Sequence, residues 1–214
     1  MSAFTKCKEI EARGLDDLLG FFKSTSFDGR FVLTDKGRLS EFLQREVGDV
    51  LMTKKTGNTV AVEVKCEEAN KTGNFYLETW SNKIIGGRLG WMYTIKADYI
   101  FYYFIASKEL FIVEFPDLWT WAFERMRLYA TEHPERMQKK TKQINETWGR
   151  CVPIETIARE VGLTEFRKND AGEFKMVRKC KPGERPICES LQARQSWKTP
   201  PETANLFSGA GAKQ

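Results

Sequence analysis

An apolar run and a neighbouring run with alternating valines predict a β-hairpin. The first run is Gly48–Met52, and the second is Val60–Lys65, in which valine occupies every other position. Residues i and i+2 of a strand face the same side, so Glu63 and Lys65 share the face opposite to the valines. The turn-forming residues Lys55–Asn58 between the runs favour a tight reversal of the chain.

A third run follows a second segment of turn-forming residues. Residues Asn70–Asn74 have turn chemistry, and Phe75–Trp80 then places Tyr76, Glu78 and Trp80 on one face of a strand. Together with the hairpin, this run predicts a three-strand antiparallel meander that carries the acidic residues of interest.

Helical spacing of apolar residues is found before these strands. Leu15–Phe22 and Leu39–Val47 each present one apolar face with the period of an α-helix. Gly48 is a typical stop for the second helix, which therefore leads directly into the strand that begins at Asp49.

The second half of the chain predicts a buried hairpin between helices. Tyr99–Ile105 is almost wholly apolar, as in a strand buried on both faces, and Leu110–Phe115 is its expected partner. A long helix is predicted from Pro116 towards His133, because proline fits the first helical turn. Its expected apolar face comprises Trp119, Phe123, Met126 and Leu128–Ala130. A further helix is expected over Glu155–Val161.

Length and composition favour one domain with an appendage. The chain has 214 residues, of which 41% are hydrophobic and 13% aromatic, enough for a sizeable core. From Lys168 the sequence becomes polar and rich in Gly and Pro. The expected division is a single domain over residues 1–167 and a partly disordered C-terminal extension over residues 168–214.

Charge and cysteine content indicate the cellular compartment and the kinds of partner, but they do not define a function. The net charge of +5 is compatible with nucleic-acid binding but does not require it. Five scattered cysteines without a CxxC pair favour a reducing, cytoplasmic compartment over a disulfide framework. The longest apolar stretch, Asp98–Ser107, is too short to span a bilayer, so no membrane partner is expected. His133, the single histidine, is assigned no role.

Three charged residues on the predicted hairpin are the main candidates for a catalytic site. Asp49 begins one strand, and Glu63 and Lys65 share one face of the next. Two carboxylates and an ammonium group suit a hard divalent cation such as Mg²⁺, which prefers oxygen ligands and retains several waters. This combination is typical of phosphodiester hydrolysis, because a cation polarises the phosphate and makes a water more acidic.

The run Gly48–Met52, followed fourteen residues after Asp49 by Glu63-Val64-Lys65, resembles the PD-(D/E)XK nuclease superfamily. The resemblance implies an α/β fold with a restriction-endonuclease-like core, a central mixed β-sheet flanked by helices. It also implies DNA as substrate and Mg²⁺ as cofactor, with Mn²⁺ able to substitute. Asp49, Glu63 and the main-chain carbonyl of Val64 would hold the cation, and Lys65 would serve the attacking water. Gly48 stands where the family often has proline.

Additional candidates surround this triplet. Glu78 on the third strand, or Glu41 on the helix before Asp49, would supply a further metal ligand in such a family. Other acidic residues that compete with Glu41 are Glu46, Glu9 and Glu11. The glycine-rich loop after the third strand offers polar and basic residues for contacts with a DNA backbone, namely Ser81, Asn82, Lys83 and Arg88.

Two other interpretations stay open at the level of sequence. One is a non-catalytic nucleic-acid-binding module on the same fold. The other is an ordinary solvated hairpin in which Glu63 and Lys65 form an exposed pair. Substrate specificity, endonuclease or exonuclease action, a homodimeric state and a phage or mobile-element origin are equally open.

Overall fold

A seven-stranded mixed sheet forms the centre of the computed structural model, which describes residues 3–24, 31–33, 47–53, 56–83, 87–134 and 147–183. From edge to edge its strands are β1 (Phe31–Leu33), β2 (Val50–Thr53), β3 (Thr59–Glu67), β6 (Tyr99–Phe104), β7 (Glu109–Glu114), β10 (Leu163–Lys168) and β11 (Phe174–Cys180). Strands β3 and β6 run parallel, and the other neighbouring pairs run antiparallel. The predicted α/β class with a mixed central sheet flanked by helices is confirmed.

A second sheet has four strands. In order they are β5 (Arg88–Leu89), β4 (Asn74–Asn82), β9 (Trp148–Pro153) and β8 (Glu132–Pro134). The hairpin of β2 and β3 is confirmed, but the predicted three-strand meander is wrong, because β4 pairs with β9 and β5 instead of β3. The free edge of β3 is taken by β6, with Val62 opposite Tyr99 and Glu67 opposite Phe104.

Five helices with described bounds accompany the sheets. They are α1 (Ala3–Ser24), α2 (Trp91–Thr94), α3 (Phe115–Glu124), α4 (Met126–Tyr129) and α5 (Ile154–Glu160). Helix α1 contains the predicted helix Leu15–Phe22 and extends it towards the N-terminus. The predicted helix Leu39–Val47 lies outside the described residues, except for Val47, which is helical.

The two faces of the main sheet support separate hydrophobic clusters. On one face, Val60, Val62 and Val64 of β3 pack with apolar residues of α1. On the other, Ile100 and Tyr102 of β6 join a cluster that includes the inward-facing residues of the second sheet. The alternation of the valines therefore places Glu63 and Lys65 on the face that looks towards the second sheet.

The apolar face predicted for the long helix is confirmed at Met126, which is buried, and is wrong at three other positions. Trp119, Phe123 and Leu128 are exposed, whereas Leu118 and Trp121 are buried. The helix also ends at Glu124 instead of continuing towards His133, and α4 follows as a separate turn. Aromatic residues lie on both sides of α3, and the Trp119 and Phe123 rings stack on each other at the surface, 5.7 Å apart. Spacing alone therefore indicated the wrong side.

The last described strand extends the main sheet beyond residue 168. Strand β11 pairs with β10 along its length and falls in the segment expected to be a C-terminal extension. Residues 184–214 lie outside the described residues. Among the described helices, none combines the length and the apolar character needed to cross a membrane.

Candidate active site

The chain enters β2 through a backbone conformation that favours glycine. Gly48 has φ of 106°, and a Cβ atom there would lie 2.9 Å from the carbonyl oxygen of Val62. Residue Asp49 then donates its backbone N–H to the same Val62 carbonyl at 2.9 Å. Because a side chain at position 48 would obstruct this approach, glycine lets the start of β2 lie close against β3.

The Asp49 carboxylate is held by the neighbouring strand. Its Oδ2 atom accepts a hydrogen bond of 2.8 Å from the backbone N–H of Val64. Val64 stands between Glu63 and Lys65, so this bond orients Asp49 beside the strand that carries both of them. This hydrogen bond from the main chain helps to set the orientation of the Asp49 carboxylate.

Glu63 and Lys65 form an ion pair on one face of β3. The distance between Lys65 Nζ and Glu63 Oε1 is 2.6 Å, and their side chains are 26% and 11% exposed. A contact between residues i and i+2 is what strand geometry allows for side chains on the same face. The pair is thus largely removed from solvent, unlike the exposed pair of an ordinary surface hairpin.

Lys65 is held in its charged form. Desolvation acts to lower its pKa, but the negative charges of Glu63 and Asp49 outweigh this effect, and the net shift of the Lys65 pKa is upward. The ammonium also lies 5.4 Å from the centre of the half-buried Trp91 ring at the start of α2. Carboxylates and an aromatic face both favour a cation at this position.

Glu11 of α1 is electrostatically coupled to Lys65 and Asp49. Desolvation raises its pKa, the charge of Lys65 opposes this shift, and the charge of Asp49 adds to it. Glu11 was among the alternatives to Glu41 in the sequence, whereas Glu41 itself lies outside the described residues, as does Glu46. Helix α1 packs against β3 from far away in sequence, so local periodicity offered no signal to prefer Glu11.

Glu78 is not on a strand adjacent to the triplet. It lies on β4 in the second sheet, and the neighbouring residues Phe75 and Leu77 point into the core. The expected common face of Tyr76, Glu78 and Trp80 is confirmed by their shared half-buried character, opposite to the buried positions between them. Because β4 pairs with β9 and β5, Glu78 is not a cross-strand neighbour of the residues of β3.

The four candidate DNA contacts cluster at the end of β4 and in β5. Ser81, Lys83 and Arg88 are exposed, whereas Asn82 is buried and opposes Arg88 across the strand pair. The Lys83 ammonium pairs with Glu132 at 3.0 Å and lies 3.8 Å from the centre of the Trp148 ring. Lys83 is thus held in place by the protein itself, and Arg88 presents the more accessible charge.

The donor chemistry of the triplet fits a hard cation. Asp49, Glu63 and the Val64 carbonyl supply oxygen ligands, and Mg²⁺ commonly uses one or two carboxylates completed by waters and phosphate oxygens. Within the described ranges, no group of three or more His, Cys, Asp or Glu side chains is placed to hold a metal. The Lys65 ammonium also occupies Glu63 Oε1. The donor types of these residues therefore fit a cation whose shell is completed by further oxygen ligands such as waters.

Comparison with protein-family models, curated proteins and solved structures finds no match to this chain.

Proposed function

We propose that the protein is a metal-dependent deoxyribonuclease that hydrolyses phosphodiester bonds at Asp49, Glu63 and Lys65. The observation that supports this most is the hydrogen bond from Val64 N–H to Asp49, which ties one carboxylate to the strand carrying the Glu63–Lys65 pair. Two carboxylates and a charged lysine then lie within one short stretch of two adjacent strands.

Each residue has a distinct part in the proposed reaction. Bound Mg²⁺ would polarise the phosphate and make a water more acidic. Asp49, with the Val64 carbonyl, offers oxygen ligands from a fixed backbone position, and Glu63 offers a second carboxylate. Lys65, kept protonated by its neighbours, would donate to phosphate oxygens as negative charge develops. Glu78 or Glu41 would be auxiliary to this step.

The DNA part of the proposal relies on charge. The chain has a net charge of +5, and Arg88 and Lys83 carry positive charge at the exposed end of the second sheet. Contacts of basic side chains with phosphates provide affinity that is independent of sequence and falls steeply with salt. Weak binding at low salt that is lost at higher salt would agree with this arrangement.

The proposal is tested by incubating the full chain with linear duplex, single-stranded, flap and four-way-junction DNA. Each substrate is tested with Mg²⁺, with Mn²⁺ and with a chelator. We expect cleavage products from at least one substrate with either cation and none with the chelator. Absence of product from every substrate with both cations would contradict a nuclease.

A non-catalytic DNA-binding module is the second candidate. It is favoured by the pairing of Lys65 with Glu63 and by the lack of a three-ligand cluster among the described residues. Such a module would bind DNA with the same affinity in Mg²⁺ and in chelator and would yield no product. Cation-dependent cleavage therefore separates the two candidates.

A further inference from the structure

A thiol and an imidazole meet on the second sheet, away from the Asp49 site. His133 on β8 and Cys151 on β9 lie side by side, with 3.2 Å between Nε2 and Sγ. The other ring nitrogen, Nδ1, is 3.1 Å from the carbonyl oxygen of Pro134. A carbonyl can only accept a hydrogen bond, so Nδ1 carries the hydrogen and Nε2 turns its lone pair towards the thiol.

The surroundings leave the thiol partly accessible. Cys151 is half-buried, and the next residue, Val152, is fully buried in the core, so the thiol faces the outer side of the second sheet. Tyr76 is the cross-strand neighbour of Cys151, and its ring lies 6.0 Å from that of His133. Tyr76 also covers Gly149, where an added Cβ would come within 2.6 Å of the tyrosine ring.

Two groups of the main sheet, Tyr102 and Glu67, are electrostatically coupled to Cys151. The Tyr102 hydroxyl of β6 donates to the Glu67 carboxylate of β3 and accepts a 3.0 Å hydrogen bond from Tyr76 N–H. Burial, and then the negative charge of Glu67, raise the pKa of the Cys151 thiol. The resting group is therefore a protonated thiol, and it needs a base at the moment of reaction.

We propose that Cys151 is a site of reversible modification by small-molecule disulfides, with His133 as the general base. In this step the thiol proton passes to His133 Nε2 while Sγ attacks one sulfur of the disulfide. A new Sγ–S bond forms, the original S–S bond breaks, and the leaving thiolate keeps its electron pair. Exchange at sulfur develops no oxyanion, so a thiol with an adjacent base is sufficient.

This inference does not depend on the proposed nuclease, because it uses other residues and needs neither DNA nor cation. The test treats the full chain with oxidised glutathione and follows the adduct on each cysteine by peptide mass spectrometry. Cys66 is the internal comparison: it too is half-buried, but desolvation and the charges of Glu11 and Asp49 raise its pKa to about 12. We expect Cys151 to react at least about tenfold faster than Cys66.

Two variants are expected to change the rate of adduct formation at Cys151 in opposite directions. His133→Gln should slow the adduct at Cys151 by about tenfold or more and leave the Cys66 rate unchanged, which also reports an intact fold. Glu67→Gln should increase the Cys151 rate, because removing the negative charge lowers the thiol pKa. Equal Cys151 rates in the parent and His133→Gln would overturn the proposal. Should His133→Gln not fold, a Cys151 rate in the parent no higher than that of Cys66 would overturn it as well.

Discussion

The Lys65 ammonium lies 2.6 Å from Glu63 Oε1, on the strand whose Val64 N–H holds the Asp49 carboxylate. This contact gives the candidate site two properties that oppose each other. The ammonium neutralises part of the negative charge that would attract a cation, and the proposed reaction uses the same ammonium to stabilise the phosphate. Removing it should therefore affect cation binding and cleavage in opposite directions.

Lys65→Met should bind Mn²⁺ more tightly than the parent, by about fivefold or more, because a nearby positive charge is lost. Isothermal titration calorimetry or electron paramagnetic resonance of the free protein measures this directly. Lys71→Met removes an exposed lysine from the loop after β3 and is the matched control, with unchanged affinity expected. Unchanged or weaker Mn²⁺ binding by Lys65→Met would show that no cation shares the carboxylates with Lys65.

Gly48→Ala should destabilise the protein by about 1–3 kcal/mol, since alanine must adopt φ of 106° and its Cβ would lie 2.9 Å from the Val62 carbonyl. Urea unfolding provides the measurement. Gly57→Ala has a similar positive φ of 89° but no atom within 4 Å of the added Cβ, so it reports the conformational cost alone. Equal losses at the two positions would mean that the close approach of Gly48 to β3 is unimportant.

Glu132→Gln should lose stability at neutral pH but not in acid. Burial acts to raise the Glu132 pKa, yet hydrogen bonds from Thr79 and Lys83 outweigh it, and the net shift is below the usual 4.5. A lowered pKa in the folded state contributes stability that is present above pH 4.5 and is lost as pH falls through the folded pKa. The expected difference in unfolding free energy is about 1 kcal/mol at pH 7, and it falls towards zero as the pH drops below the folded-state pKa.

The control for this pH dependence is Glu114→Gln, an exposed glutamate at the end of β7. Its unfolding free energy should follow that of the parent at each pH. A Glu132→Gln loss that stays the same from pH 7 to pH 3 would rule out the charged hydrogen bonds as its source.

Arg178→Met should cost about 3–5 kcal/mol, because it removes the shorter ion pair of the buried Glu165 carboxylate and leaves it with a contact of 3.6 Å to the exposed Arg167. Arg178 on β11 is 11% exposed and bonds Glu165 at 2.7 Å, and it also holds Glu155 of α5 with two hydrogen bonds. Arg167→Met is the comparison, since that side chain is 55% exposed and its loss should cost at most about 1 kcal/mol. Similar small losses for both variants in urea unfolding would imply that β11 contributes little to the fold.

Sequence patterns predicted the positions of individual strands better than they predicted which strands pair with each other. The hairpin of β2 and β3 follows from alternating valines and a local turn, and β6 follows from a continuous apolar run. The partner of β4 could not be predicted, because Glu78 pairs with Gly149, far away in the chain, and alternation does not identify the neighbouring strand. The same limit applies to Glu11, whose electrostatic coupling to Lys65 depends on the packing of α1 on β3.

The exposed Trp119–Phe123 pair shows a second limit. Both residues fit the apolar stripe of a helix, yet Leu118 and Trp121 are the ones that face the core. When large apolar residues surround a helix, spacing cannot decide which side is buried, and the contact with the sheet decides it.

The most direct test of the proposed nuclease compares cleavage rates under saturating Mg²⁺ for the parent, Asp49→Asn, Glu63→Gln, Lys65→Met and the control Lys71→Met. The substrate is whichever DNA the parent cuts, and circular dichroism verifies that each variant is folded. We expect the three site variants to be slower by about 100-fold or more, and the control to match the parent. Site variants that cut as fast as the parent, or a parent that cuts no DNA with either cation, would contradict the proposed function.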